Sequence, residues 1–449
     1  MIGGARLLGA LRRAVRRAEG DGVSACAHAR QRRVFRFAYD AIHQDLVQES
    51  VQVTIKVIRE KRAGVASTSA LTPEGLARCA AIASEIARHS PQQADVPPLP
   101  ARHRARSTQD YVAATAALSP AECVASLKQL FRICRGAGAA LAGSMVTGED
   151  ELAVANSAGV ACYAASTVAG AKLVTMYRKL SGYVSGAHRD VRRLKLEDLL
   201  KRSLDQSLRR EEPVTLPLGT YEVILEPEAV GELVNWLGYT AFGAKSVEER
   251  TSFMAGRMGE QVMDRQVTIS DDATSASTLR MPFDFEGVPK RRTVLIDRGR
   301  AAGLVYDMTY GARFGQPSTG HGMPPDETEG PFPLHLAMAA GTRSLAQMIA
   351  SCKRGLLIPR FHYVNGLLNP REALMTGLTR EGTYVIEHGR LARPVTTLRF
   401  TQSMLEAFSH VRGISKERRL IADPAQEMGC GLMPALHLER FAFTGRSQG

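Results

Sequence analysis

The sequence predicts an α+β fold in two domains, and three observations carry that expectation. The first half sets capped amphipathic helices among β-prone runs. The second half is strand-rich, with two hairpin signatures at Arg298-Gly299-Arg300 and His388-Gly389-Arg390. Between them stands a Glu211-Glu212-Pro213 step. We therefore place an amino-terminal α+β domain at residues 1–210 and a β-rich carboxy-terminal domain at 211–449.

In chain order, Leu7, Leu8, Leu11 and Val15 fall on one face at helical spacing, among arginines, and predict a docked first helix. Residues 50–59 alternate apolar and polar as a half-buried strand, with a short partner strand after Gly64. Thr72-Pro73-Glu74 starts a helix, with a capping hydroxyl followed by proline at the first helical position. It should run to about His89 with Leu76, Ala80, Ile82, Ala83 and Ile86 inward. Residues 90–108 are Pro-rich and basic, and predict a linker or surface crossing. Ser119-Pro120-Ala121-Glu122 is a capping box opening a helix to about Arg135. Residues 139–176 predict a meander, and a charged helix at about 190–209 closes this half.

Beyond the step, strands are expected at 221–225 and 266–270, with hairpins over 292–307 and 383–395. Helices are expected at about 228–243, 343–353 and 403–410. On the first of these, Val230, Leu233, Val234, Leu237 and Ala241 form one apolar stripe.

Composition narrows the function classes. Of 449 residues, 44% are apolar and 23% charged, which is ordinary for a globular protein. No apolar run approaches the roughly 18 residues needed to span a bilayer. The first twenty residues lack the continuous apolar stretch of a secretory signal. Seven cysteines, odd in number and without a Cys-x-x-Cys pair, suit reduced thiols, so a cytoplasmic location is expected. The net charge of +13 is scattered rather than gathered with aromatic residues, so direct nucleic-acid binding is not expected. There is no phosphate-cradling Gly-x-x-x-x-Gly-Lys.

Two blocks carry a family resemblance. Residues 360–400, RFHYVNGLLNPREALMTGLTREGTYVIEHGRLARPVTTLRF, and the block from Thr251 to Thr293, TSFMAGRMGEQV with MPFDFEGVPKRRT, resemble the TldD/PmbA family. These are zinc-peptidase-related proteins also called modulators of DNA gyrase. The resemblance implies an α+β amino-terminal domain before a β-rich carboxy-terminal one. In the peptidase-active branch, a helix after a strand ending in Glu-Pro carries His-Glu-x-x-x-His. Two imidazoles bind zinc, the glutamate activates its water, and a cysteine near the carboxy terminus is the third ligand.

Laid without a gap over the helix 228–243, that pattern falls on Asn235, Trp236 and Thr240, a degenerate set that offers no strong zinc ligand and no proton acceptor. No histidine stands between His188 and His321. The expectation is therefore no catalytic residue, no metal and no cofactor in this chain, with Cys430 as a residual candidate ligand. The same helix also suits a purely packed role.

Phe361 to Leu367 and Arg380 to Thr383 resemble the family's zinc-lacking branch, the PmbA/TldE type. There His362, Tyr363 and Asn365 place donors and acceptors together, suited either to gripping an extended peptide or to bracing the domain. Asp284 and Glu286 are expected mainly as turn-formers. The resemblance implies a bacterial, zinc-lacking subunit that pairs with a zinc-bearing TldD-type homologue as a heterodimer and helps cut unfolded or modified peptides. The rival expectation is a stand-alone enzyme whose cleft acts on a peptide-derived or small metabolite.

Overall fold

The computed structural model describes residues 1–103, 110–208, 211–425 and 429–446. In the first half, α1 (Gly4–Arg17) precedes β1 (Gly22–Ala38), β2 (Ala41–Arg59), β3 (Arg62–Thr68) and α2 (Pro73–His89). Then come α3 (Ala113–Ala116), α4 (Pro120–Gly136), β4 (Ala140–Asn156), β5 (Ala161–Tyr177), β6 (Leu180–His188) and α5 (Leu196–Ser207). The six strands form one antiparallel sheet in the order β3-β2-β1-β4-β5-β6.

The sheet is covered differently on its two faces because its side chains alternate. Ala25, Ala27, Phe35 and Phe37 of β1 pack beneath α1, α2, α4 and α5. From the opposite face, Cys26, Val154 and Cys162 meet Phe283 and Phe285 of the second half. The expected caps form: Thr72 Oγ1 accepts from Gly75 N at 3.1 Å, and Ser119 and Glu122 complete the capping box.

Three expectations need correction here. Ile82 and Ile86 of α2 face solvent, at 48% and 42% exposure. The inward face is instead Leu76, Cys79, Ala80, Ala83 and Ala87. The cause is close packing, since a Cβ at Gly64 of β3 would lie 2.1 Å from Ala83 O and 2.4 Å from Ala87 N. Only small residues fit that approach. The strand read at 50–59 is the second half of β2, and β1 was not foreseen at all. The charged helix is shorter than expected and ends at Ser207. Residues 104–108 of the Pro-rich crossing and residue 209 lie outside the described residues.

The second half begins with β7 (Gly219–Leu225), α6 (Pro227–Ala241), α7 (Ala244–Glu248), β8 (Ile269–Asp271), β9 (Thr293–Asp297) and β10 (Arg300–Ala301). It continues with α8 (Met308–Arg313), β11 (His335–Met338), α9 (Leu345–Ser351), β12 (Arg354–Ile358), β13 (Arg360–Asn369) and β14 (Leu374–Arg380). It closes with β15 (Tyr384–Glu387), β16 (Arg390–Pro394), β17 (Leu398–Ser403), α10 (Met404–Ala407), β18 (Val411–Ile421) and β19 (Cys430–Arg446). These strands make a 13-stranded sheet in which β19 pairs with β7, β11, β17 and β18.

Helix α6 lies in the middle of this domain's core. Val230, Leu233, Val234, Leu237 and Ala241, the stripe read from periodicity, are all fully buried. Both hairpins turn where expected, with positive φ at Arg298-Gly299 and His388-Gly389. The returning arm of the first shrinks to Arg300–Ala301, and the strand read at 266–270 to Ile269–Asp271. Among the described residues, no helix is long and apolar enough to cross a membrane.

Candidate functional site

The chain leaves β7 at Leu225, where Glu226 N donates to Ile358 O of the parallel neighbour β12 at 2.9 Å. Pro227 then opens α6, its fixed φ suited to the first helical position. This junction holds two carboxylates, Glu226 and Glu228, both 8% exposed, and Glu226 lines a cleft of about 530 Å³ between the two halves of the molecule. Arg202 and Gln206 of α5, Leu345 and Ile349 of α9, and Arg419 of β18 line it.

Arg419 bridges the acids, Nη2 standing 2.5 Å from Glu226 Oε2 and Nη1 3.1 Å from Glu228 Oε1. Arg202 Nη2 adds a contact to Glu228 Oε1 at 3.2 Å. Burial raises both carboxyls, and repulsion from Glu226 helps push Glu228 up to about 8, with Arg202 acting the other way. Arg419 lies closer to Glu226, so Glu226 is the more easily ionised and Glu228 holds the proton. A buried carboxyl poised near neutrality can give or take a proton at physiological pH. Beside the pair, the Arg360 guanidinium lies 3.9 Å from the Tyr183 ring centroid and pairs with Glu381 at 2.5 Å.

The residues expected from the zinc pattern do not gather at this cleft. Asn235 is exposed, two turns along α6 from Glu228. Trp236 is half-buried, packed on Gly366 of β13 and edge-on to Tyr239 at 5.8 Å. Thr240 is buried, its hydroxyl donating to Trp236 O at 2.8 Å. The helix carries no histidine.

Cys430 is buried at the start of β19, opposite His335 of β11, and accepts from Leu279 N at 3.3 Å. Burial pushes its thiol up to about 12. Among the described residues, the one group of three potential ligands within mutual reach lies elsewhere, at Glu222, Cys352 and His437.

His362, Tyr363 and Asn365 sit on β13, which among the described residues pairs only with β14. His362 and Tyr363 rings lie 4.3 Å apart, and Asn365 Oδ1 accepts from Leu367 N at 2.8 Å. Tyr363 is 79% exposed and has φ +49°, a strained left-handed conformation at a register break in the strand. None of the three lines the Glu226–Glu228 cleft.

Sequence reading missed the acid pair and its arginines, because Arg202 and Arg419 are distant in sequence. The Glu226-Pro227-Glu228 run was the one available signal. It also missed a buried ionic group in which Asp271 meets His321 Nε2 at 2.9 Å and accepts from His335 N at 2.6 Å. Asp284 is a turn-former as expected, accepting from the N–H groups of Glu286, Val288 and Gly322 at 3.0, 2.8 and 2.7 Å. Glu286 Oε2 accepts from Met308 N at the start of α8.

A mixed sheet wrapped around a buried helix faces a second, helix-backed sheet, and comparison with known proteins gives the family. Residues 218–445 match the family described as the PmbA/TldA metallopeptidase C-terminal domain, and the chain belongs to the PmbA/TldD family. It is 28% identical over 224 residues to a metalloprotease TldD homolog of Haemophilus influenzae, covering 49% of this chain and 46% of that protein. With a metalloprotease of Methanothermobacter thermautotrophicus it shares 23% identity over 241 residues, or 53% of this chain and 52% of the relative. The chain thus spans about half the length of the curated relatives it matches.

The fold is that of TldE from Thermococcus kodakarensis, with TM-score 0.88 at 21% identity, over 98% of this chain and 100% of that one. A candidate modulator of a DNA gyrase from Thermotoga maritima superimposes with TM-score 0.83 at 18% identity, over 94% and 96% of the two chains.

Proposed function

We propose that this protein is the zinc-lacking subunit of a TldD/PmbA-type metallopeptidase complex, forming part of a peptide-binding cleft beside a zinc-bearing homologue. One observation carries the reading. At the head of α6 the carboxyls of Glu226 and Glu228 are held by Arg419 and Arg202, two fixed guanidinium cations, and the helix carries no histidine. A catalytic zinc needs neutral imidazoles and an open position for water, and this helix provides neither. Peptide-bond hydrolysis then depends on the partner's metal, and no cofactor is needed in this helix. The free edge of β13, with His362, Tyr363 and Asn365, supplies backbone and side-chain groups for an extended peptide. A heterodimer working on unfolded or modified peptides in the cytoplasm follows from this reading.

A second reading has its own support. Glu228, pushed up to about 8 beside the cleft that Glu226 lines, is a proton-transfer group in its own right. It favours a stand-alone enzyme acting on a peptide-derived or small metabolite.

The test is reconstitution. Co-expressed with a His-Glu-x-x-x-His homologue, the chain should co-elute as a one-to-one complex that cleaves unfolded peptides and loses activity with a chelator. Chelator-sensitive proteolysis by the purified chain alone would sink the first reading. Turnover of a small substrate abolished by Glu228→Gln, without any partner, would establish the second.

A further inference from the structure

Further along the sheet face that lines the acid-pair cleft, three ligand types meet at the other end of α9. Glu222 of β7, Cys352 at the carboxy-terminal end of α9 and His437 of β19 bring one donor atom each within 4.8 Å of one another. The fold explains the meeting. His437 pairs with Ile224 across the β7–β19 ladder, so Glu222 lies one diagonal step away on the same face. Helix α9 ends at Cys352 and the chain turns into β12, which runs parallel to β7. Gly355 permits the approach, since a Cβ there would lie 2.6 Å from Glu222 O and 2.7 Å from Cys352 Sγ.

We propose that Glu222, Cys352 and His437 form a binding site for a borderline-soft divalent cation of the zinc class. Thiolate, imidazole and carboxylate are the donor set such an ion prefers, and three ligands leave a fourth position for water. Bonds of roughly 2.0–2.3 Å draw the three donors closer together and swing the Glu222 carboxylate off His437.

Without an ion, the site is held by protons. His437 Nε2 stands 2.6 Å from Glu222 Oε1, and the Cys352 thiol also bonds to Glu222. On ion binding the Cys352 S–H bond breaks, the sulfur–metal bond forms and the proton leaves to solvent. His437 binds through Nε2 as the neutral ring, with its proton on Nδ1. Burial favours that neutral form, lowering the His437 pKa.

The opposing charges are Arg412, 3.3 Å from Glu222 Oε1, and Arg343 nearby. Arg412 is on the solvent side, and its Nε lies 3.2 Å from Glu439 Oε1, so it keeps a partner when the ion takes Glu222. The bound ion would fasten α9, a wall of the acid-pair cleft, to the sheet beneath it. Its ligands come from β7, β19 and the end of α9 rather than from the family helix α6. It departs from the expectation that the chain holds no metal.

The experiment is a cobalt(II) titration of the full chain after exhaustive dialysis against a chelator. We expect about one equivalent bound, with a thiolate-to-cobalt charge-transfer band in the near ultraviolet, displaced by zinc. Cys352→Ser should abolish the band and His437→Gln should weaken binding at least tenfold, while Cys430→Ser should leave both unchanged. Absence of the band in the unmodified chain, or its persistence in Cys352→Ser, overturns the proposal. Because variants can misfold, zinc-edge anomalous scattering from crystals of the unmodified chain provides the second measurement. A peak among the three side chains supports the site, and its absence there overturns it.

Discussion

The Arg419 guanidinium holds Glu226 at 2.5 Å across 193 residues of sequence, tying β18 to the junction of β7 and α6. Taking one charge from a buried pair costs more than the pair itself contributes, because the remaining charge stays desolvated. Arg419→Met should therefore destabilise the fold by roughly 3 kcal/mol, read as a lower urea midpoint. Adding Glu226→Gln to that variant should recover part of the loss. A double variant no more stable than the single one would mean that the arginine acts through packing alone.

Glu228 gives a pH dependence with a definite sign. Its folded-state pKa, about 8, lies above the ordinary 4.5, so the folded state binds the proton more tightly. Its contribution is complete below about pH 4.5 and is lost as the pH rises through about 8. Glu228→Gln keeps the neutral form at every pH. The variant should therefore gain on the parent across that window, by at most about 1.4 kcal/mol per pH unit. Stability curves that run parallel from acid to neutral pH would refute the assignment.

Gly64 is where α2 comes closest to the sheet. Gly64→Ala puts a methyl on the backbone of Ala83 and Ala87, and neither atom belongs to a flexible side chain. The helix must lift, and overpacking of this kind costs about 2 kcal/mol. Hydrogen exchange should show the loss concentrated in residues 73–89. Unchanged protection there would show that the helix accommodates the methyl.

The N-cap of the same helix marks what the sequence revealed. Thr72→Ala removes the acceptor for Gly75 N and should cost about 1 kcal/mol in thermal or urea unfolding. Caps, the stripe on α6 and the turns at Arg298-Gly299 and His388-Gly389 were legible because each is fixed by residues adjacent in sequence. The inward face of α2 was not, since Gly64 decides it from another strand. β1 was hidden for a related reason. Its run Arg30-Gln31-Arg32-Arg33 reads as a charge cluster, yet Arg32 is buried and bonded to Asp150 on β4, a partner the sequence does not indicate. The acid pair joins α6 to residues on α5 and β18, so its cleft exists only in three dimensions.

Tyr363 offers the sharpest check on the peptide-binding role of β13. A ring exposed at 79%, on a residue with φ +49°, contributes little to the core. Its replacement should leave the unfolding midpoint almost unchanged. If the edge of β13 grips peptide, Tyr363→Ala should weaken binding of an unfolded peptide on the order of tenfold, the scale of an aromatic anchor at an interface. Tyr363→Gly relieves the left-handed backbone while also removing the ring, so it should bind no better than the alanine variant despite a slightly more stable fold. Fluorescence anisotropy of a labelled peptide, on the complex with the zinc-bearing homologue, separates the cases. Equal affinity in all three proteins would leave the strained tyrosine without a part in binding and return the strand to a purely structural role.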